Sequence, residues 1–190
     1  NKPGASGTLG PAVMAANAKP DGYTIAQMPI TVMRLPLMQK TAWDALKDFT
    51  YIVHLTGYTF GVTTKADGQF KTWAEVVAYA KANPGKVTFG YGLGTSPQIV
   101  GKSFELAAGL DLINVPYKGG EQVRIDLLGG RIHINFAPVS NALAMIQEGR
   151  VRALAVTSAT RDPELPQVPT FKEQGFPDVG FDPDVWQAII

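Results

Sequence analysis

The sequence predicts an α/β fold with mainly parallel strands. Strand-like apolar runs alternate with helix-like runs along the 190 residues, which is typical of strands joined by helical crossovers. Hydrophobic residues make up 45% of the chain and charged residues 17%, which leaves ample apolar side chain for a core. The length suits one α/β domain or two small lobes.

The first half of the chain contains three predicted helices and three predicted strands. The helix over residues 72–82 is marked most clearly, because Thr72 and Glu75 form a capping box and apolar residues recur at helical spacing after it. A second helix follows the small residues at 4–8 and ends near residue 18, and a short one is predicted over 40–47. Strands are predicted at 23–28, 51–56 and 62–64. Prolines cluster over 29–36 and 163–183, which predicts crossings or surface loops there.

The second half repeats a strand–helix alternation, with glycines closing most of the helices. Strands are predicted at 86–90, 113–115, 131–136 and 151–157, and helices at 98–108, 120–128 and 140–148. Thr170 and Glu173 form another capping box, which predicts a short helix closed by Gly175.

The loop over residues 90–97 is the strongest candidate for a binding site. It joins a strand to a helix, with Ser96 placed to cap that helix and Pro97 at its first position. Unpaired N–H groups at a helix start attract anions, so Gly94, Thr95 and Ser96 are predicted to hold a negatively charged small molecule. The loop carries no acid, base, metal ligand or Arg. We therefore expect amide dipoles and hydroxyls to meet the charge, in binding without catalysis.

Further candidates lie at the ends of other predicted strands, where ligands bind in open α/β sheets. Phe136 is equally well explained by core packing. For Lys118 a solvated or salt-bridged amine is favoured over a reactive one, because a reactive amine needs a desolvated pocket. The small-residue loop over 4–8 either lines the same cleft or is a tight turn that needs glycine. The remaining predicted ligand contacts are Tyr117, Gly119, Phe136, Ala137 and Pro138, with Met28 and Pro29 for the apolar body of the ligand.

Composition excludes several classes of function. The formal net charge is +1 with scattered basic residues, so nucleic acid is not an expected partner. The chain has no Cys, and its two His residues lie far apart without nearby carboxylates, so we expect neither a metal nor another cofactor. No apolar run reaches the roughly 20 residues of a membrane span. Both ends read as cuts in a longer protein, so a missing export signal carries little weight.

Nine segments, in this order and spacing, resemble the Bug (TctC-like) solute-binding proteins of tripartite tricarboxylate transporters. The resemblance covers nearly the whole chain. The segments are NKPGASGT (1–8), PDGYT (20–24), KDF (47–49), AKANPGK (80–86), VPYKGG (115–120), DLLGG (126–130), RALAVT (152–157), LPQVPT (165–170) and EQGFP (173–177).

The resemblance implies a two-lobed periplasmic-binding-protein architecture of type II, which closes like a Venus flytrap on a small organic carboxylate. We expect residues 1–88 to form a partial lobe I without its first strand and loop, residues 89–178 to form lobe II, and residues 179–190 to cross back to lobe I. The resemblance also implies a periplasmic location, a signal peptide in the precursor and delivery to integral-membrane permease subunits. We expect a monomer.

Two other interpretations stay open from the residues alone. One is an effector-sensing domain of a transcriptional regulator, since that class shares the two-lobed architecture. The other is an α/β enzyme, a hydrolase or transferase acting on a carboxylated substrate, in which Lys118 or His133 would be needed for turnover.

Overall fold

The computed structural model describes residues 5–176 and 186–190, which contain six α-helices and eight β-strands. A 3₁₀ turn, Ala5–Gly7, precedes the first helix. The helices are α1 (Leu9–Asn17), α2 (Thr31–Met38), α3 (Trp73–Ala82), α4 (Ser96–Ala107), α5 (Gly120–Leu128) and α6 (Val139–Gln147). The strands are β1 (Gln27–Pro29), β2 (Val53–Gly57), β3 (Phe60–Lys65), β4 (Thr88–Gly92), β5 (Ile113–Tyr117), β6 (Ile134–Pro138), β7 (Val151–Val156) and β8 (Trp186–Ile189).

The strands form two sheets. One has the order β1-β8-β2 and is antiparallel, and the other has the order β5-β4-β6-β3-β7. In the larger sheet β4 pairs in parallel with β5 and β6, whereas β3 pairs antiparallel with β6 and β7. The prediction of mainly parallel strands is therefore wrong for the described pairings. It assumed that every helix returns the chain to a neighbouring parallel strand, but the connection through α3 joins two antiparallel strands that are not neighbours.

The sheets define two units of the molecule. The first unit consists of α1, α2 and the three-stranded sheet, and the second unit consists of the five-stranded sheet with α3 to α6. β3 and α3 belong to the second unit, although the sequence interpretation assigned residues up to 88 to the first lobe. The chain passes between the units in the short link from β2 to β3, because β3 pairs only within the larger sheet. β8 lies between β1 and β2 in the first unit, and residues 177–185 lie outside the described residues.

Three predicted local features differ in the structure. α2 occupies part of the proline cluster that was predicted as a crossing or loop, and Pro36 lies inside this helix. Residues 40–47, predicted as a short helix, form turns instead. The Thr170 capping box forms its two hydrogen bonds with Glu173, at 2.7 and 3.0 Å, but around a turn rather than a helix.

The five-stranded sheet has two unlike faces. α3 and α4 cover one face, where large aromatic side chains from strands and helices form the main core. Trp73 is 1% exposed and makes edge-to-face contacts with four phenylalanines, at centroid distances of 5.3 to 6.3 Å. α5 and α6 cover the opposite face with smaller apolar clusters. The second unit is thus a three-layer α/β arrangement whose sheet edge, where β4, β5 and β6 end, points toward the first unit.

The first unit has a smaller core around Met28 and Val32. Several of its large apolar side chains are exposed, among them Leu37, Leu46 and Ile52. This unit therefore leaves part of its apolar surface uncovered by the described residues.

Candidate ligand-binding site

A cleft of about 840 Å³ lies between the two units. Four of the described helices begin at it: α2 from the first unit and α4, α5 and α6 from the second. Each helix start carries a partial positive charge from its aligned peptide dipoles, so these four termini favour an anion in the space between them. The lining residues used below are Ser6, Pro29, Thr31, Thr95, Ser96, Lys118, Gly119, Glu121 and Pro138.

Ser96 lies at the first position of α4 and is 4% exposed. Its Oγ accepts a hydrogen bond from Nη1 of Arg34 at 2.6 Å. Among the described residues, neither the hydroxyl proton nor the backbone N–H of Ser96 has an acceptor. A carboxylate only accepts hydrogen bonds, so Ser96 has two donors ready for one.

The adjacent amides differ from the prediction. The N–H of Gly94 donates to Oε1 of Gln98 at 2.7 Å, and the N–H of Thr95 donates to the carbonyl of Gly92 at 3.2 Å. The Thr95 hydroxyl donates to the same carbonyl at 2.6 Å. The expectation that these N–H groups are unpaired is therefore wrong, because the short loop folds back on itself and uses them internally; a ligand contact at Gly94 and Thr95 stays a prediction.

The helix cap is also one residue earlier than predicted. Thr95, not Ser96, is the N-cap of α4, and its side chain makes no capping hydrogen bond. Ser96 is consequently inside the helix, where its side chain points to the cleft and to Arg34 rather than to the backbone of the next turn.

Arg34 supplies the full positive charge that the sequence interpretation did not place at this site. It lies on α2 in the first unit, is half-buried, and forms no salt bridge within residues 5–176 and 186–190. Burial lowers the pKa of its guanidinium from 12.5, but an Arg side chain stays protonated in proteins. Arg34 is not a lining residue of the cleft, so it acts on the cleft through Ser96.

Thr31 is a second hydroxyl that the sequence interpretation missed. It begins α2, lines the cleft and is 3% exposed. It lies close to the loop before α4, because a Cβ on Gly94 would be 3.4 Å from Thr31 Cγ2 and 2.7 Å from Leu35 Cδ2. Gly94, with φ +74°, is needed for this close approach of the two units.

The loop at Ala5–Gly7 lines the cleft from the first unit, as in the first of the two alternatives given for residues 4–8. Residue 4 lies outside the described residues. The N–H of Ser6 donates to the carbonyl of Lys118 at 3.2 Å, so the two units also touch at this point. The exposed Lys118 adds positive charge at the rim, and Glu121 is paired with Arg124.

Five of the ten predicted ligand contacts line this cleft: Pro29, Thr95, Ser96, Gly119 and Pro138. Phe136 and Ala137 instead line a smaller adjoining cavity within the second unit, and Phe136 also belongs to the aromatic core. Met28 is fully buried in the core of the first unit, and Gly94 lies under Leu35. Strand alternation explains the burial of Met28, because its neighbours in β1, Gln27 and Pro29, line the cleft and point the opposite way.

Tyr117 is also placed outside the cleft. Its hydroxyl donates to Oδ2 of Asp126 at 2.7 Å, and Asp126 also accepts from Arg131 at 2.8 Å. Burial, followed by the hydrogen bond to Asp126, raises the pKa of Tyr117 to about 12. The side chain is therefore a structural donor on the α5 side of β5 and not a contact in the main cleft.

The described residues contain no group of three or more His, Cys, Asp or Glu side chains that would hold a metal ion. His133 does not line the cleft, and its Nδ1 accepts from the N–H of Thr88 at 3.0 Å. Lys118 is exposed, whereas a reactive amine needs a desolvated pocket. In the same described ranges, no helix has the length and apolar content to cross a membrane.

The sequence of this chain matches one family and is similar to proteins described in bacteria. The family described as TctC, "Tripartite tricarboxylate transporter family receptor", matches residues 1–190. A Cupriavidus necator protein described as "UPF0065 protein in gbd 5'region" is 41% identical over 176 residues, covering 92% of this chain and 53% of that protein. This chain thus spans about half the length of that relative.

Two solved structures are similar over nearly all of this chain. "Structure of periplasmic binding protein BugD" has 28% identity and a TM-score of 0.86, covering 98% of this chain and 62% of the solved one. "R. palustris Rpa4515 with adipate" has 26% identity and a TM-score of 0.89, covering 100% of this chain and 63% of the solved one.

Proposed function

From the premise that this chain belongs to the tripartite tricarboxylate transporter receptor family, we propose that it captures a small organic carboxylate in the cleft between its two units. Binding occurs without catalysis. The proposal includes a periplasmic location and delivery of the bound solute to the integral-membrane permease subunits of the transporter. The similar protein solved with adipate and the similar periplasmic binding protein support this extension to our chain.

The observation that carries the proposal is the free donor pair of Ser96 at the start of α4. Arg34 occupies one lone pair of the Ser96 oxygen, which leaves the hydroxyl proton for an acceptor in the cleft. The backbone N–H of Ser96 is directed along the helix axis toward the same space, as in other helix starts that bind anions. A ligand carboxylate thus accepts two hydrogen bonds from one residue.

Electrostatics favour a negative ligand over a neutral one at this point. The guanidinium of Arg34 stands behind Ser96 in a half-buried position, where its charge is screened less than at the surface. No carboxylate of the described residues neutralises it by a salt bridge. A bound anion compensates this charge. Because Arg34 belongs to the first unit and Ser96 to the second, anion binding favours the arrangement in which the two units lie close together.

A thermal-shift screen of the full-length protein tests the proposal. We expect at least one C3–C10 mono- or dicarboxylate, adipate among those tested, to raise the melting temperature by several degrees, because a ligand at 100 times its Kd stabilises by about 2.7 kcal/mol. The diols of matching chain length serve as neutral controls. The proposal would be contradicted if the diols raised the melting temperature as much as the acids, or if no acid raised it.

A further inference from the structure

The face of the larger sheet that meets α5 and α6 carries mainly small and polar residues. Along β3, β4 and β6 the large aromatic residues point to the other face, and their neighbours point here. The residues on this face include Gly92 of β4, Asn135 and Ala137 of β6 and Thr63 of β3. Their small volume leaves space between the sheet and the two helices.

That space is a cavity of about 290 Å³, called here the inner cavity. The apolar part of its helical wall comes from Val123 and Leu127 of α5 and from Ala142 and Met145 of α6. It adjoins the cleft, because several residues line both: Thr95, Pro97, Gly120, Glu121, Pro138 and Asn141. The volume lies near the lower end of the range for small-molecule sites, about 300–1,000 Å³.

Asn135 is an unsatisfied donor at the floor of the inner cavity. It is 9% exposed, and its Oδ1 accepts a hydrogen bond from the hydroxyl of Thr63. Within residues 5–176 and 186–190 no acceptor pairs with its Nδ2. Because Asn135 lines the cavity next to the binding cleft, its unpaired Nδ2 is placed to donate to an acceptor on a ligand that enters there.

The charges around the inner cavity decide which acceptor fits. Glu121 and Arg124 are its charged lining residues, and they pair with each other. The other lining side chains are uncharged, so a second carboxylate at Asn135 would have no counter-charge of its own. Burying such a charge is costly, whereas a carbonyl or hydroxyl oxygen is satisfied by an uncharged donor such as the amide Nδ2 of Asn135.

We propose that the inner cavity binds the far end of the captured carboxylate, and that this end is a short apolar chain carrying an uncharged acceptor such as a ketone. The inference rests on the proposed function, since Ser96 holds the carboxylate at the mouth. The ligand class that follows is an oxo-carboxylate, in which the aliphatic carbons contact Val123 and Leu127 and the oxygen accepts from Asn135.

Calorimetry on the full-length protein with matched acids tests this inference. The probes are 5-oxohexanoate, hexanoate, which lacks the acceptor, and glutarate, in which a charged carboxylate replaces the acetyl end. We expect 5-oxohexanoate to bind about tenfold more tightly than either, which corresponds to about 1.4 kcal/mol. Equal affinities for the first two, or tighter binding of glutarate, would overturn the inference.

Two variants separate the inference from the proposed function. Asn135→Leu is expected to bring the affinity ratio of 5-oxohexanoate to hexanoate close to one, whereas Ser96→Ala is expected to weaken both acids by the same factor. If Ser96→Ala weakens binding of both acids, but the wild type binds 5-oxohexanoate and hexanoate equally well, the inner cavity is not a subsite and the carboxylate site stands. If Ser96→Ala weakens neither, the proposed function fails.

A structure of the wild-type protein with 5-oxohexanoate provides a readout that does not depend on the folding of a variant. The ketone oxygen is expected within hydrogen-bond distance of Asn135 Nδ2. A ligand whose chain lies entirely in the cleft would overturn the inference.

Discussion

In the full-length protein, Ser96→Ala is expected to lower the affinity for the carboxylate ligand roughly 10- to 100-fold. The hydroxyl of Ser96 is the free side-chain donor at the start of α4, and a hydrogen bond to a charged group contributes about 1.5–3 kcal/mol. The substitution also leaves the half-buried guanidinium of Arg34 without its hydrogen-bond acceptor. Calorimetric titration of the wild type and the variant measures the loss.

Thr95→Ala is the matched control, since it removes a neighbouring hydroxyl that also lines the cleft. The Thr95 proton is donated to the carbonyl of Gly92, so this substitution is expected to change affinity less than about threefold. Arg34→Met should weaken binding in the same direction as Ser96→Ala, because it removes the charge behind the site. Equal losses of affinity for Thr95→Ala and Ser96→Ala would contradict our account. They would mean that a hydroxyl already donating inside the protein matters as much for binding as one whose proton is free.

Trp73→Ala is expected to destabilise the protein by about 3–5 kcal/mol, the largest effect on folding among the changes considered. The indole is almost fully buried and contacts four phenylalanines, Phe104, Phe136, Phe171 and Phe176. Its removal opens a cavity between α3 and these side chains. Urea unfolding followed by circular dichroism measures the change in the free energy of unfolding.

Trp73→Phe provides the control for that prediction. The indole Nε1 is buried and has no hydrogen-bond partner among the described residues, so replacing it removes an unsatisfied donor as well as volume. We expect Trp73→Phe to lower the free energy of unfolding by less than half as much as Trp73→Ala. A loss as large as that of the alanine variant would mean that the indole N–H makes a stabilising contact, and would disprove this explanation of the core.

Local sequence signals predicted most helices and strands but failed where proline was misleading. α3 forms as expected, with the Thr72 hydroxyl accepting from the N–H of Glu75 at 3.2 Å. α2 was missed because Pro29 and Pro36 read as breakers, yet Pro36 is accommodated in the last turns of an eight-residue helix. Strand directions were also misjudged, since pairing between sequence-distant strands such as β3 and β6 leaves no local pattern.

For the site, the sequence and the structure both place a candidate anion site at the start of α4, but the donors that are free there differ from those expected. Ser96 and its helix start were predicted, because a small-residue loop before a helix has a recognisable pattern. The internal bonds of Gly94 and Thr95 depend on side-chain and loop geometry that spacing does not reveal. Arg34 lies 62 residues from Ser96 in sequence and on the missed helix α2, so only the packing of the two units brings them together.

The resemblance noted from nine segments is confirmed, since the chain belongs to the family that those segments indicated. Capture of a small organic carboxylate, delivery to permease subunits and a monomeric state remain predictions.

A crystal structure of the full-length protein bound to a carboxylate found in the thermal-shift screen tests the central claim most directly. Our account predicts one carboxylate oxygen within hydrogen-bond distance of both the N–H and the hydroxyl of Ser96, with Arg34 still donating to the serine oxygen. A carboxylate held elsewhere, with the donors of Ser96 bonded inside the protein, would contradict it.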